Sequence, residues 1–111
     1  MTINGTDISM LRGDTECLVV NCQTEDGQSR PFAEGDKVTF TVGTSFGRAL
    51  LAKAVTEFPD GTAVIVIAHE DTNELTPGEY AYDVQLTARD GTVKTIIPPS
   101  RFVLERDVTR E

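Results

Sequence analysis

The feature that most constrains this chain is a two-residue alternation of apolar and polar side chains, broken at short intervals by glycine, proline and Asp-Gly pairs. Val38, Phe40 and Val42 alternate with Thr39 and Thr41, and Tyr80, Tyr82, Val84 and Leu86 alternate with Ala81, Asp83, Gln85 and Thr87. Successive side chains of a β-strand point to opposite faces, so this pattern belongs to strands with one face buried. Asp-Gly pairs at 26–27, 60–61 and 90–91 each fall between apolar stretches. Glycine accepts a positive φ and aspartate tolerates one, which makes the pair a strong hairpin signal. Gly13, Gly35 and Gly78 supply further breaks. Two stretches, 17–20 and 63–68, are apolar at both parities, the pattern expected of central strands covered on both faces.

This reading predicts strands near 8–12, 15–24, 37–43, 49–56, 62–68, 79–88, 92–97 and 101–104. Eight short strands in 111 residues indicate a sandwich or a barrel. In 49–56 the alanines, leucines and Lys53 favour helix, and Leu51, Val55 and Phe58 fit a helical face, but the segment is read as a strand. The polar stretch 70–75 is expected to cross between sheets as a single helical turn. Pro98 and Pro99 cannot donate to a ladder, so they are expected to mark a bend or bulge before the final strand, at a sheet edge. With 39% hydrophobic and 25% charged residues, a chain of this length can bury about two-thirds of its unfolded surface. The expectation is one domain over 1–111, with extended terminal segments at 1–7 and 105–111.

Charge and composition exclude several function classes. Ten basic against 18 acidic side chains give a net charge of −8, which repels phosphate backbones and disfavours a nucleic-acid partner. The first residues lack a basic and apolar leader, and no run approaches the roughly 20 apolar residues of a membrane span, so a product made in the cytoplasm without a signal peptide is expected. Cys17 and Cys22 are five apart, an odd spacing that puts them on opposite faces of a strand and prevents a bridge. With no C-x₂-C spacing and the single His69 far away in sequence, no zinc site is expected, and both thiols read as small buried hydrophobes in a reducing compartment.

No catalytic constellation can be assembled, so neither an enzyme nor a cofactor is expected. His69, Glu70 and Asp71 form the one His-carboxylate cluster in the sequence, but no G-x-S-x-G elbow accompanies it and strand neighbours point apart. Asp60, Asp71, Glu74 and Asp83 match neither EF-hand spacing nor a repeated acidic loop. Arg12-Gly13-Asp14 consists of turn-compatible residues at a strand end and needs no adhesive role. The glycines are spread one per turn, so no phosphate-cradling loop exists. Phe32, Phe40, Phe46, Phe58, Tyr80, Tyr82 and Phe102 suit core packing better than a sugar-stacking platform, which favours exposed Trp and Tyr.

One local pattern is more specific. Leu75 precedes the Pro77-Gly78 turn, which feeds a strand opening with Tyr80, the place where immunoglobulin-like sandwiches set a tyrosine corner. The chain has no Trp and no second Cys near Tyr82. The fold expected is therefore all-β: an immunoglobulin-like antiparallel β-sandwich of seven or eight strands without the disulfide, with a small up-and-down barrel as the alternative.

The order Arg-Gly-Asp-Thr at 12–15, Asp26-Gly27, Gly-Asp-Lys-Val-Thr-Phe-Thr-Val at 35–42, Phe-Pro-Asp-Gly at 58–61, Leu-Thr-Pro-Gly-Glu-Tyr-Ala-Tyr-Asp at 75–83, the strand at 90–97 and Phe102 resembles a known family. It is similar to the small immunoglobulin-like domain of tailed bacteriophages of Gram-positive hosts, as at the N-terminus of upper baseplate proteins. The resemblance covers nearly the whole chain and is most specific in the L-x-P-G-x-Y-x-Y-D block. It implies a virion structural role, with other virion proteins and copies of itself as partners. Because the sequence ends seven residues after Leu104, an accessory tail, baseplate or decoration component is expected. Strand addition at the terminal segments 2–12 and 101–110, through Ile3, Ile8, Met10, Phe102 and Leu104, is the expected mode of contact. A carbohydrate- or cell-surface-binding module and an acidic inhibitor of a host enzyme are the alternatives; nothing in the residues supports a host glycan directly.

Overall fold

Alternation decides which side of each strand is buried, and the computed structural model, which describes residues 1–24, 26–44 and 47–108, shows two sheets closing over those sides. The elements in chain order are β1 (Thr2–Asn4), β2 (Asp7–Leu11), β3 (Glu16–Val20), β4 (Lys37–Gly43), β5 (Ala49–Val55), a 3₁₀ turn (Pro59–Gly61), β6 (Ala63–Ile67), α1 (His69–Asn73), β7 (Gly78–Thr87) and β8 (Val93–Glu105). Six strands form one sheet in the order β1-β2-β8-β7-β4-β5, and β3 and β6 form a second. The chain is an all-β sandwich. Its pairs are antiparallel except β2 with β8, which run parallel in the register Ile8↔Phe102 and Met10↔Leu104. The sandwich is therefore mixed, not wholly antiparallel.

The core forms between inward parities. From the larger sheet come Ile8, Met10, Val38, Phe40, Val42, Tyr82, Val84, Leu86, Phe102 and Leu104; from the smaller come Leu18, Val20, Ala63, Ile65 and Ile67. The rings of Phe40 and Tyr82 lie 5.4 Å apart and both approach Phe102 at 6.3 Å, which places an aromatic cluster across β4, β7 and β8. Phe32 pairs with Phe58 at 5.1 Å. Phe46 lies outside the described residues.

The strand expected at 49–56 is present as β5, because β4 supplies it with a ladder from Val38↔Val55 to Gly43↔Ala49 that outweighs the helix propensity of its residues. Other expectations are corrected. Residues 2–4, expected as part of an extended terminal segment, are a strand, paired to β2 through Ile3↔Ile8. The last two predicted strands are one 13-residue strand, which runs through Pro98 and Pro99. The prolines sit where the β7–β8 register jumps from Tyr82↔Ser100 to Val84↔Ile97, a bulge. β8 is interior to the sheet, but β2 pairs it from Phe102 onward, so the side of the strand at the prolines has no β2 neighbour asking for an N–H. Asp60-Gly61 closes no hairpin; it joins β5 to β6 in different sheets, with both residues left-handed at φ 57° and 74°. Asp90-Gly91 does join adjacent strands, β7 and β8.

The stretches that are apolar at both parities are not covered on both faces. In β3 and β6 the inward residues are buried, but Val19, Val64 and Val66 are 58%, 36% and 45% exposed. Cys17 shares that outward face and is exposed; Cys22 is buried, and both thiols are free. The reading of both cysteines as buried thus fails for Cys17. In the native chain, one thiol per molecule is expected to react with an alkylating reagent, and two in urea. Mass spectrometry that counts adducts checks this, and native modification of Cys22 at the rate of Cys17 would contradict the packing.

Candidate functional site

β3 and β6 pair in the register Cys17↔Val66 and Val19↔Val64, and directly opposed residues of an antiparallel pair share a face. Cys17, Val19, Val64 and Val66 therefore form a two-by-two apolar patch facing away from the core. An antiparallel sheet with one solvated face ordinarily alternates apolar with polar residues; here the solvated face of the strand pair is apolar. At one end of the pair stand exposed Asp14 and Glu70, and at the other exposed Asp26 and Asp60. Nearby cations are engaged: Arg12 with Asp107 at 2.9 Å, Lys53 with Asp71 at 2.9 Å, and Lys94 with the Gln23 carbonyl at 3.0 Å.

A cleft of about 580 Å³ lies between residues 6–7, 79–81 and 98–101. Its polar groups are spent on one another. Arg101 donates from Nε and Nη2 to Glu79 at 2.8 and 3.2 Å, a pairing that raises the guanidinium pKa further, and its backbone N–H donates to Asp7 at 3.0 Å. Thr6 and Ser100 share a hydroxyl bond of 2.8 Å, and the Tyr82 hydroxyl donates to the Thr6 carbonyl. Burial, and secondarily the charge of Asp7, pushes the Tyr82 phenol pKa up, which keeps it a donor. His69 lies at the start of α1, 54% exposed and 3.1 Å from Glu70. Among the described residues, no three His, Cys, Asp or Glu side chains group as a metal site.

No protein-family model matches the chain, and no curated protein does. Among solved structures it is similar to CopC from Methylosinus trichosporium OB3b, with a TM-score of 0.52 at 12% identity, over 95% of this chain and 89% of that one. At that identity the likeness is one of fold, and it agrees with the β-sandwich. No function passes from one chain to the other on this basis.

The sequence-derived site residues fall into two groups. Leu75, Pro77, Gly78 and Tyr80 meet at one corner: the Tyr80 hydroxyl donates to the Thr76 carbonyl across the Pro77-Gly78 turn, and Leu75 packs against the core. Removing that hydroxyl in Tyr80→Phe should cost about 1 kcal/mol and lower Tm by about 4 °C in a thermal melt; an unchanged melt would make the corner bond irrelevant to stability. Of the five residues expected at edge contacts, Ile8, Met10, Phe102 and Leu104 are 0–2% exposed and belong to the core. The reason is that these four side chains take the buried parity of β2 and β8, which pair with each other inside the larger sheet, so that the edge of the N-terminal segment is β1. Ile3 alone of the five is accessible, at 50%. Residues 109–110 of the C-terminal candidate segment lie outside the described residues.

The residues of the apolar patch were not among the candidates. Their signal was in the sequence, since apolar side chains at both parities in 17–20 and 63–68 require cover on both faces. The fold supplies cover on one.

Proposed function

We propose that this chain is a non-enzymatic structural protein of a tailed bacteriophage particle, an accessory tail, baseplate or decoration component that works through protein–protein contacts. The observation that carries the assembly part of this reading is the solvent-facing apolar patch of the β3–β6 sheet, formed by Cys17, Val19, Val64 and Val66. Apolar area of this kind gains free energy when a partner covers it, and it offers nothing to a small polar substrate. The phage part rests on the resemblance of the L-x-P-G-x-Y-x-Y-D block and its flanking strands.

Neither alternative draws comparable support. Of the described aromatics, Phe32, Phe40, Tyr82 and Phe102 are buried and Phe58 and Tyr80 are half-buried, so they offer no flat stacking face for a sugar. Exposed carboxylates stand at the ends of an apolar patch, which favours a protein partner over mimicry of nucleic acid. Quantitative mass spectrometry of purified particles, reporting copies of this chain per major tail or capsid subunit, tests the reading. A fixed ratio is expected, and absence from intact particles would overturn it.

A further inference from the structure

Sheet edges carry unpaired N–H and C=O groups, and proteins that must not join edge to edge guard them. Three of the edges here are guarded or short. β5 has Lys53 pointing inward to an ion pair with Asp71 at 2.9 Å; β1 is three residues long; β6 lies against β5. β3 carries one such charge at its first residue, where Glu16 shares the inward parity of Leu18 and Val20 and pairs with the Met1 ammonium; from Cys17 to Val20 it has no such device. Its residues Glu-Cys-Leu-Val-Val contain no Lys and no Pro, β6 is its one ladder partner among the described residues, and β6's contact with β5 leaves β3 as the outward edge of the pair.

The space beside that edge has an apolar floor. Ile3 pairs with Ile8, whose side chain is buried, so both point toward the core side of the larger sheet, yet Ile3 is 50% exposed. The N-terminal ammonium of Met1 meets the Glu16 carboxylate at 2.7 Å, which sets β1 below the start of β3. Ile3 is thus a core-side residue of the larger sheet left open near the start of β3.

We propose that β3 accepts an added strand from a neighbouring protein of the particle, an extended segment apolar at alternate positions with Lys or Arg beyond its ends. This deepens the assembly reading and rests on it for the partner being a particle protein. Main-chain bonds to the β3 edge would give affinity, and alternate side chains would cover Ile3 on one side and extend the Cys17-Val19 face on the other. The charge of the partner follows from complementarity. Segments 13–29 and 54–77, which contain β3, β6 and the loops at their ends, hold nine carboxylates and neither Lys nor Arg, and of the nine Glu16 and Asp71 are paired with the Met1 ammonium and Lys53. A second copy of this chain would bring the same acidic ends and a net charge of −8 to the contact.

The test uses the full chain and a dye-labelled synthetic peptide, Lys-Lys-Val-Thr-Val-Thr-Val-Lys-Lys, followed by fluorescence anisotropy, with a Glu-flanked peptide for comparison. The Lys-flanked peptide is expected to bind about tenfold tighter at low salt, with the difference shrinking as salt rises. Val19→Lys and Ile3→Ser are each expected to weaken it by about tenfold, whereas Val93→Lys, at an equally exposed valine on β8, leaves binding unchanged. Backbone amides of 16–20 should gain protection from hydrogen exchange on binding. Both substituted side chains are exposed, so folding is retained, and a thermal melt verifies it.

Equal binding of the two peptides, no binding of either, or unchanged affinity in Val19→Lys and Ile3→Ser overturns the proposal. So does a stable homodimer by sedimentation that Val19→Lys dissolves, since the edge would then serve a second copy. Peptide binding by a chain absent from purified particles would overturn the assembly reading and leave the β3 edge assigned; a chain present in particles that ignores the peptide would do the reverse.

Discussion

Phe40→Ala should lower the unfolding free energy by about 4 kcal/mol, the largest effect expected of any single truncation in this chain. Phe40 is fully buried on β4, and its ring contacts Tyr82 on β7 and Phe102 on β8. Truncation removes the transfer free energy of the ring and leaves a cavity that three strands of a laddered sheet cannot close without breaking register. A domain of this size has a total stability of about 5–15 kcal/mol, so the variant is expected near the edge of folding. Urea unfolding measures it, with the midpoint falling and the slope unchanged. Phe58→Ala is the comparison. That ring is half-buried and touches Phe32 outside the cluster, so about half the loss is expected. Equal losses at the two positions would remove the aromatic cluster from its place at the centre of the core.

Period-two patterning made the strands of the larger sheet legible, because in β4 and β7 the buried parity coincides with Val38, Phe40 and Val42 and with Tyr82, Val84 and Leu86. Parity says nothing about neighbours, and there the reading failed. Ile8, Met10, Phe102 and Leu104 look like the apolar residues of two terminal strands, and only the parallel β2–β8 ladder makes them interior. The prolines in β8 misled for a related reason: a missing N–H is costly where a ladder partner waits for it, and β2 ends short of them.

The candidate site was half legible. Apolar residues at both parities of β3 and β6 were visible, and burial was the natural inference, since sheets covered on both faces have this composition. Two strands against six leaves the outer face open. Edge guarding was more hidden. Lys53 in the middle of an otherwise apolar strand is intelligible once β5 is an edge and Asp71 at the start of α1 reaches it, while the same Asp71 accepts the Ala68 N–H at 2.7 Å. Nothing in the sequence separation of 18 residues announces that pairing. The open stretch of β3 from Cys17 to Val20, beyond the pair of Glu16 with the Met1 ammonium, is likewise a property of the assembled sheets.

Asp36→Asn should cost about 2 to 3 kcal/mol at neutral pH, and the cost should shrink on acidification. Asp36 is 6% exposed, at the entrance to β4, where its carboxylate accepts from the Ala33 N–H at 3.1 Å, the Arg30 guanidinium at 3.2 Å and the Arg89 N–H at 3.3 Å. One carboxylate thereby ties the 30–35 loop to the β7–β8 connection. Burial pushes its pKa up, but the Arg30 hydrogen bond and charge and the two backbone donors more than offset this, and the net shift is downward from the ordinary 3.8. The folded state consequently holds its proton less tightly than the unfolded state, so the stabilisation is fully present above pH 4 and is lost as pH falls through the depressed folded pKa. Asparagine keeps one acceptor oxygen and turns an amide toward donors that the second carboxylate oxygen satisfied. Urea unfolding of parent and variant at pH 7, 5, 4 and 3 should show the two stability curves separated above pH 4 and converging below it. The other carboxylates titrate in both chains, so the difference isolates Asp36. Curves that stay parallel down to pH 3 would mean that the charge contributes nothing and that the loop is held by geometry alone.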